Sequence, residues 1–205
     1  DTYPPKTHPA PITDKSDIPP TPEIYSSLRF LSYPLPNDPD IKIQQGWYYT
    51  WLDKDGKRIE HKGIDFIKGT TDELETWKPF DVLAAADGWA WINPPSHIGN
   101  AVFIEHISNG QHIYTYYGHL EKMADMPPYL TSENKHPEGK PVKRGEKIGV
   151  AGASGAIDEN GNPLIHLHFQ VNIGDIPFDP YDLRRERDEY PDPNFTNGKT
   201  LGEHA

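Results

Sequence analysis

The sequence predicts an all-β domain, and three observations carry that expectation. Short runs alternate apolar and polar residues, the runs are rich in Val, Ile, Tyr and Trp, and DG, NG and GN turn signals separate them. DVLAAADGWAWI, AVFIEHIS, HIYTYYGHL and LHFQVNI are such runs, and DKDG at 53–56 and SNG at 108–110 read as hairpin turns. No stretch of this core has the pattern of a three-turn helix. LRRERDEY at 183–190 reads as a short surface helix after the last strand, and no repeat of fixed period is present.

Three regions follow in order. Residues 1–44 hold TYPPKTHPAPITD and IPPTPE, whose prolines forbid long helices and central strands. They read as an extended arm over the domain or as a disordered tail, with a short apolar patch at Leu28, Phe30 and Leu31. Residues 45–180 form the expected folded domain and 181–205 a C-terminal tail. Within the domain, MADMPPYLTSENKHPEGKPV at 123–142 reads as an inserted loop, the kind of segment that walls or lids a cleft.

Composition narrows the chemistry. There is no cysteine, so disulfides, thiolate metal sites and cysteine nucleophiles are excluded, and any metal must be held by histidine and carboxylate. A formal net charge of −11 disfavours a nucleic-acid partner. No apolar run approaches the roughly 18 residues of a membrane span. The chain opens at Asp1 with no initiator Met, a hint of a trimmed, exported product.

The ten histidines are unequally placed. His166 and His168 form HLH in a strand-like run, so both side chains point to one face and Leu167 to the other. Burying two imidazoles there without partners is costly, which points to metal or catalysis, with a surface pair as the alternative. His61 and Asp65 lie four apart in HKGIDF, where Gly63 permits the two side chains to converge. Alone that spacing also fits a surface salt link. Together, His61, Asp65 and one histidine of HLH supply the three ligands of a catalytic zinc with a position left for water. Nitrogen-rich ligation favours zinc over calcium or magnesium.

The order HKGIDF, YYGHL, HLHF resembles the lysostaphin-type (LytM-like) zinc endopeptidases, which cut peptide bonds in bacterial cell walls. AAADGWAWI, GNAVFIEH and VKRGEKIGVAGASG resemble the family's intervening segments, so the likeness covers roughly residues 45–175. It implies an antiparallel sheet, sandwich or barrel-like, with long loops forming a substrate groove. It implies that His61, Asp65 and His168 bind Zn2+. His119 and His166 then stay unligated, face the metal's water and share the proton work, in an order the sequence leaves open. The implied protein is a monomeric, extracytoplasmic peptidoglycan hydrolase. The alternative is a non-catalytic wall-binding or hydrolase-activating module of the same fold.

Of the rest, His106 alternates with Val102 and Ile104 and reads as structural, while His97, His112 and His136 sit near turns. Trp89 and Trp91 read as core packing rather than substrate stacking. Tyr116 or Tyr117 is placed to line the cleft. The stretches GTTDELETWKPFDV and AIDENGNPLI depart from the family pattern and are expected in the groove walls. Asp38 or Asp40 could offer an oxygen to the metal from the arm.

Overall fold

The structure, a computed structural model, describes residues 30–47, 50–52, 55–129 and 137–179. The expected helix at 183–190, the arm through Leu28 and the C-terminal tail lie outside them.

Thirteen strands follow one another along the described chain. They are β1 (Ile41–Gln45), β2 (Thr50–Leu52), β3 (Arg58–Glu60), β4 (Ile64–Lys68), β5 (Asp81–Leu83), β6 (Gly88–Ile92), β7 (Val102–Ser108), β8 (Gln111–Gly118), β9 (Leu120–Met123), β10 (Lys140–Val142), β11 (Lys147–Ala151), β12 (Leu167–Ile173) and β13 (Ile176–Phe178). The main sheet runs β1-β4-β12-β8-β7-β6-β10, with β13 beside β12, and every named pairing in it is antiparallel. A second sheet runs β5-β11-β9, and β2 pairs with β3 as a hairpin. The all-β antiparallel fold is thus as the sequence indicates. Among the described residues helix is confined to a 3-10 turn at Leu74–Thr76. None is long and apolar enough to cross a membrane, which says nothing of a β-barrel.

Alternation explains which face each strand buries. Val102 and Ile104 of β7, Ile113 and Tyr117 of β8, and Leu167, Phe169 and Val171 of β12 turn inward onto Val82, Leu120 and Ile148 of the second sheet. The core therefore lies between the two sheets, and the opposite face of the main sheet is free to carry the site. Asn109 (φ 50°) and Gly110 (φ 76°) close the β7–β8 hairpin with the paired left-handed residues that a two-residue turn requires.

Two of the expected strands are divided. DVLAAADGWAWI is β5 and β6, which belong to different sheets, and HIYTYYGHL is β8 and β9, which do too. The chain crosses between sheets at the buried Ala84–Ala86 segment and at His119. Packing also begins upstream of Gln45: Leu31, Tyr33, Ile41 and Ile43 join the core, and Ser32 donates to the Ala85 carbonyl. Trp91 packs as expected, but Trp89 is 41% exposed. The described part of the insertion covers Trp91 and Phe103, through Tyr129 and a Trp91 indole bond to the Pro137 carbonyl.

Candidate metal centre

His61 opens the short loop between β3 and β4, Asp65 lies in β4, and His168 lies opposite it in β12, in direct register. All three are buried. His61 Nε2, Asp65 Oδ1 and His168 Nδ1 form a triangle with each side 3.0 Å long. Gly63 makes room for it, because a Cβ there would meet the His168 ring at 2.6 Å and the Phe169 carbonyl at 2.7 Å.

Proton placement shows what the triangle is suited to hold. His61 Nδ1–H donates to the Gly46 carbonyl at 2.8 Å, which leaves a lone pair on Nε2. His168 Nε2 faces Gln170 Oε1 at 3.4 Å, which favours the proton there and a lone pair on Nδ1. Three acceptors then converge with no hydrogen among them. One proton can relieve one side of the triangle; a cation relieves all three. A tetrahedral ion with bonds of about 2.0–2.2 Å sets its ligand atoms roughly 3.3–3.6 Å apart, within a few tenths of the sides seen here. The outward N–H on a backbone carbonyl is the arrangement that fixes a ligating imidazole. The residues fit a divalent metal, and among the described residues this is the one cluster of that kind.

His119 and His166 stand beside the triangle. Their rings are 4.4 Å apart, and His166 Nε2 lies 3.9 Å from Asp65 Oδ2. His119 is held in a left-handed conformation (φ 59°), unusual outside glycine, where the chain leaves one sheet for the other. Its N–H donates to the Ile98 carbonyl, its carbonyl accepts from Gly152 N–H, and its Nδ1–H donates to the Ser154 carbonyl at 2.8 Å. His166 Nδ1–H donates to the Leu164 carbonyl at 2.7 Å. Both rings therefore turn Nε2 lone pairs into the cleft.

Charge divides these groups. Burial resists a proton on His61, but the Asp65 carboxylate outweighs it and raises the His61 pKa. Burial alone would push Asp65 up, yet the imidazoles around it hold it well below the usual carboxylate range. Burial lowers His166, with Asp65 opposing, and brings His119 down to about 3.

All five residues line one cavity of about 390 Å³. His97 stands exposed at its rim, and Gly155, Ala156, Ile157 and Leu164 wall one side, as AIDENGNPLI was expected to. The other divergent stretch does something different: its Trp77 packs beneath Ala156 and Leu164, so it props the wall rather than forming it. Asp38 is engaged by Lys68 at 2.7 Å, and neither it nor Asp40 lines the cavity. His106 is buried between the Asp87 carbonyl and the Thr115 hydroxyl, a structural side chain. No residue type signals the Gly46, Ser154 and Leu164 carbonyls that set the tautomers. Gln170 was findable, because it follows His168 by two on the same strand face.

Fold and cleft together define a β-sheet protein with a candidate metal centre flanked by two further imidazoles. Residues 59–180 match the model of peptidase family M23, and the chain belongs to that family. A search of curated proteins gave no match. Among solved structures, a Ruminococcus gnavus protein assigned as a glycyl-glycine endopeptidase lytM is similar at 23% identity (TM-score 0.52; 80% of this chain, 64% of that one). A SpoIIQ–SpoIIIAH pore-forming complex is similar at 20% (TM-score 0.52; 75% and 90%). A zinc-containing peptidase from Vibrio cholerae is 28% identical (TM-score 0.49; 74% and 39%), so this chain spans well under half of that protein. The first two likenesses speak for the fold.

Proposed function

We propose that the chain is a zinc-dependent endopeptidase that hydrolyses peptide bonds of bacterial peptidoglycan, in the stem peptide or the cross-bridge, outside the cytoplasm. The observation that carries this reading is the triangle of converging lone pairs with two neutral imidazoles turned toward it in one cleft. Family membership supplies the peptidase class, and the ordered HKGIDF, YYGHL and HLHF motifs supply the cell-wall substrate class.

His61, Asp65 and His168 would hold the zinc, since two nitrogens and one carboxylate oxygen are its usual catalytic donor set. Bound there, the ion supplies Lewis-acid polarisation of the scissile carbonyl and of a water molecule. His166 is the better placed to receive a proton at Nε2, because Asp65 Oδ2 at 3.9 Å offsets part of the cost of its charge. A proton held in so buried a site is readily released to the departing amine. His119, with no carboxylate in contact, keeps a neutral ring against the reacting peptide. The carbonyls of Ser154 and Leu164 stop either ring from turning Nδ1 into the cleft.

The test is mass spectrometry of digests from several defined peptidoglycans, with zinc-loaded protein and His166→Ala as control. New amine ends should appear with the wild type alone. Absence of new amines from every wall type, in protein holding equimolar zinc, would overturn the reading.

A further inference from the structure

The cavity has two unlike sides. One is the polar centre just described. The other is aliphatic: Ile59 of β3, Ile98, Ala156, Ile157 and Leu164 face the same space. Four of these are buried or half-buried by the protein itself, but Ile157 is 54% exposed. An isolated exposed isoleucine on a loose loop would be unremarkable. This loop is not loose. Ile157 bridges Pro163, Asp158 N–H donates to the Asn162 carbonyl, and Leu164 N–H donates to the Ala156 carbonyl. The Asp158 carboxylate accepts from Asn160 N–H, Asn162 N–H and the Asn162 side-chain amide, which knots the loop on itself. Ala156 and Leu164 are seated on Trp77 and Ile67, which fixes the loop to the sheet. Every other side chain from Asp158 to Asn162 is polar or absent. The one large aliphatic group is therefore presented, by a pinned loop, at the mouth of the reaction cleft.

We propose that Ile157 is a specificity-determining residue, and that this wall takes a substrate residue with an aliphatic side chain, alanine or larger, next to the scissile bond. The proposal rests on the peptidase reading above and narrows it. A glycine-only bridge offers backbone but no methyl group to this wall. A side chain that covers Ile157 removes apolar surface of both partners from water. The gain is about fourfold in affinity per buried methyl group.

Matched synthetic peptides test it, differing only by glycine, alanine or valine on each side of one bond. With zinc-loaded full chain, kcat/KM should favour alanine over glycine about fourfold or more on one side of the bond, and Ile157→Thr should bring that ratio close to one. Ile107→Thr, at an isoleucine 65% exposed and outside the cavity lining, should leave the ratio where it was. In His166→Ala, peptide binding measured by calorimetry should show the same preference without any chemistry. Equal or better use of glycine by the wild type would overturn the proposal, as would a ratio that Ile157→Thr does not change. Amine release from whole peptidoglycan is read separately. Its absence would remove the hydrolase reading, while the binding preference would still decide the character of the wall.

Discussion

The triangle and the imidazole pair share one cleft, yet His61 of the first titrates in the opposite direction to both histidines of the second. His61 and His166 are both buried, so burial alone does not separate them. Distance to the Asp65 carboxylate does. At 3.0 Å it overcomes burial and raises His61; at 3.9 Å it only offsets part of the fall of His166. His119 touches Ser154 and the two neighbouring rings instead, and falls to about 3. One carboxylate thus sorts these imidazoles into one that attracts a cation and two that stay neutral. The supports differ too. Asp65 and His168 sit in paired strands, whereas His119 and His166 sit where the chain passes into or out of a sheet and are aimed by loop carbonyls.

The largest break in this division comes from removing the carboxylate. Asp65→Ala leaves two facing imidazole lone pairs in a buried site. Losing one partner of such a buried set costs about 3–5 kcal/mol, hence roughly 10²–10⁴-fold in metal affinity. Chelator competition should show that loss, and amine release should vanish with it. His166→Ala acts on the other group. We expect bound zinc to remain equimolar by elemental analysis while kcat falls about 10²–10⁴-fold, the usual worth of a positioned proton carrier. Loss of metal in His166→Ala would erase the boundary between the two groups.

How much of this was legible depended on what kind of atom did the work. His61, Asp65, His119, His166 and His168 announce themselves because each is a chemistry-bearing side chain in an ordered motif. The carbonyls that choose their tautomers have no residue signature, since any residue at Gly46, Ser154 or Leu164 carries one. The strand faces were legible by alternation, but the sheet changes were not. Ala84–Ala86 fits either side of a sheet, so alternation ran through it unbroken. The left-handed turn falls on His119 rather than a glycine, so residue type gave no signal. The stretch GTTDELETWKPFDV props the groove wall instead of forming it for a similar reason: the partners of its Trp77, Ala156 and Leu164, are about eighty residues away in sequence.

Two glycines sharpen the comparison further, because each lies under one group. A Cβ at Gly63 would strike the His168 ring, so Gly63→Ala should weaken zinc binding about 10–100-fold, the scale of a disturbed ligand support. Gly99 (φ 64°) lies against the Ser154 carbonyl, the acceptor of His119 Nδ1–H. Gly99→Ala should lower kcat and leave zinc affinity as it was. Chelator competition beside steady-state kinetics separates the two outcomes. Matching losses of metal from both variants would mean that the loops and strands do not support separate functions.

His106 extends the same rule beyond the cleft, with the smallest effect. It is as buried as the site histidines and touches a carbonyl and a hydroxyl but no carboxylate, and burial brings it down to about 4. Between pH 6.5 and 4 the unfolded chain binds a proton at this position that the folded chain refuses. Folding stability from His106 is therefore whole above about pH 7 and is lost as the pH falls through the unfolded value of roughly 6.5. By pH 5 the loss is about 2 kcal/mol, roughly 4–8 °C in Tm for a chain of this size. His119 adds to the fall, while His61, raised by Asp65, opposes it. Scanning calorimetry of metal-free protein should show Tm declining from pH 7 to 5. His106→Gln keeps a donor and an acceptor but cannot titrate, so it should make the decline shallower. A decline of unchanged slope in that variant would mean that burial without a carboxylate is not what keeps this histidine neutral.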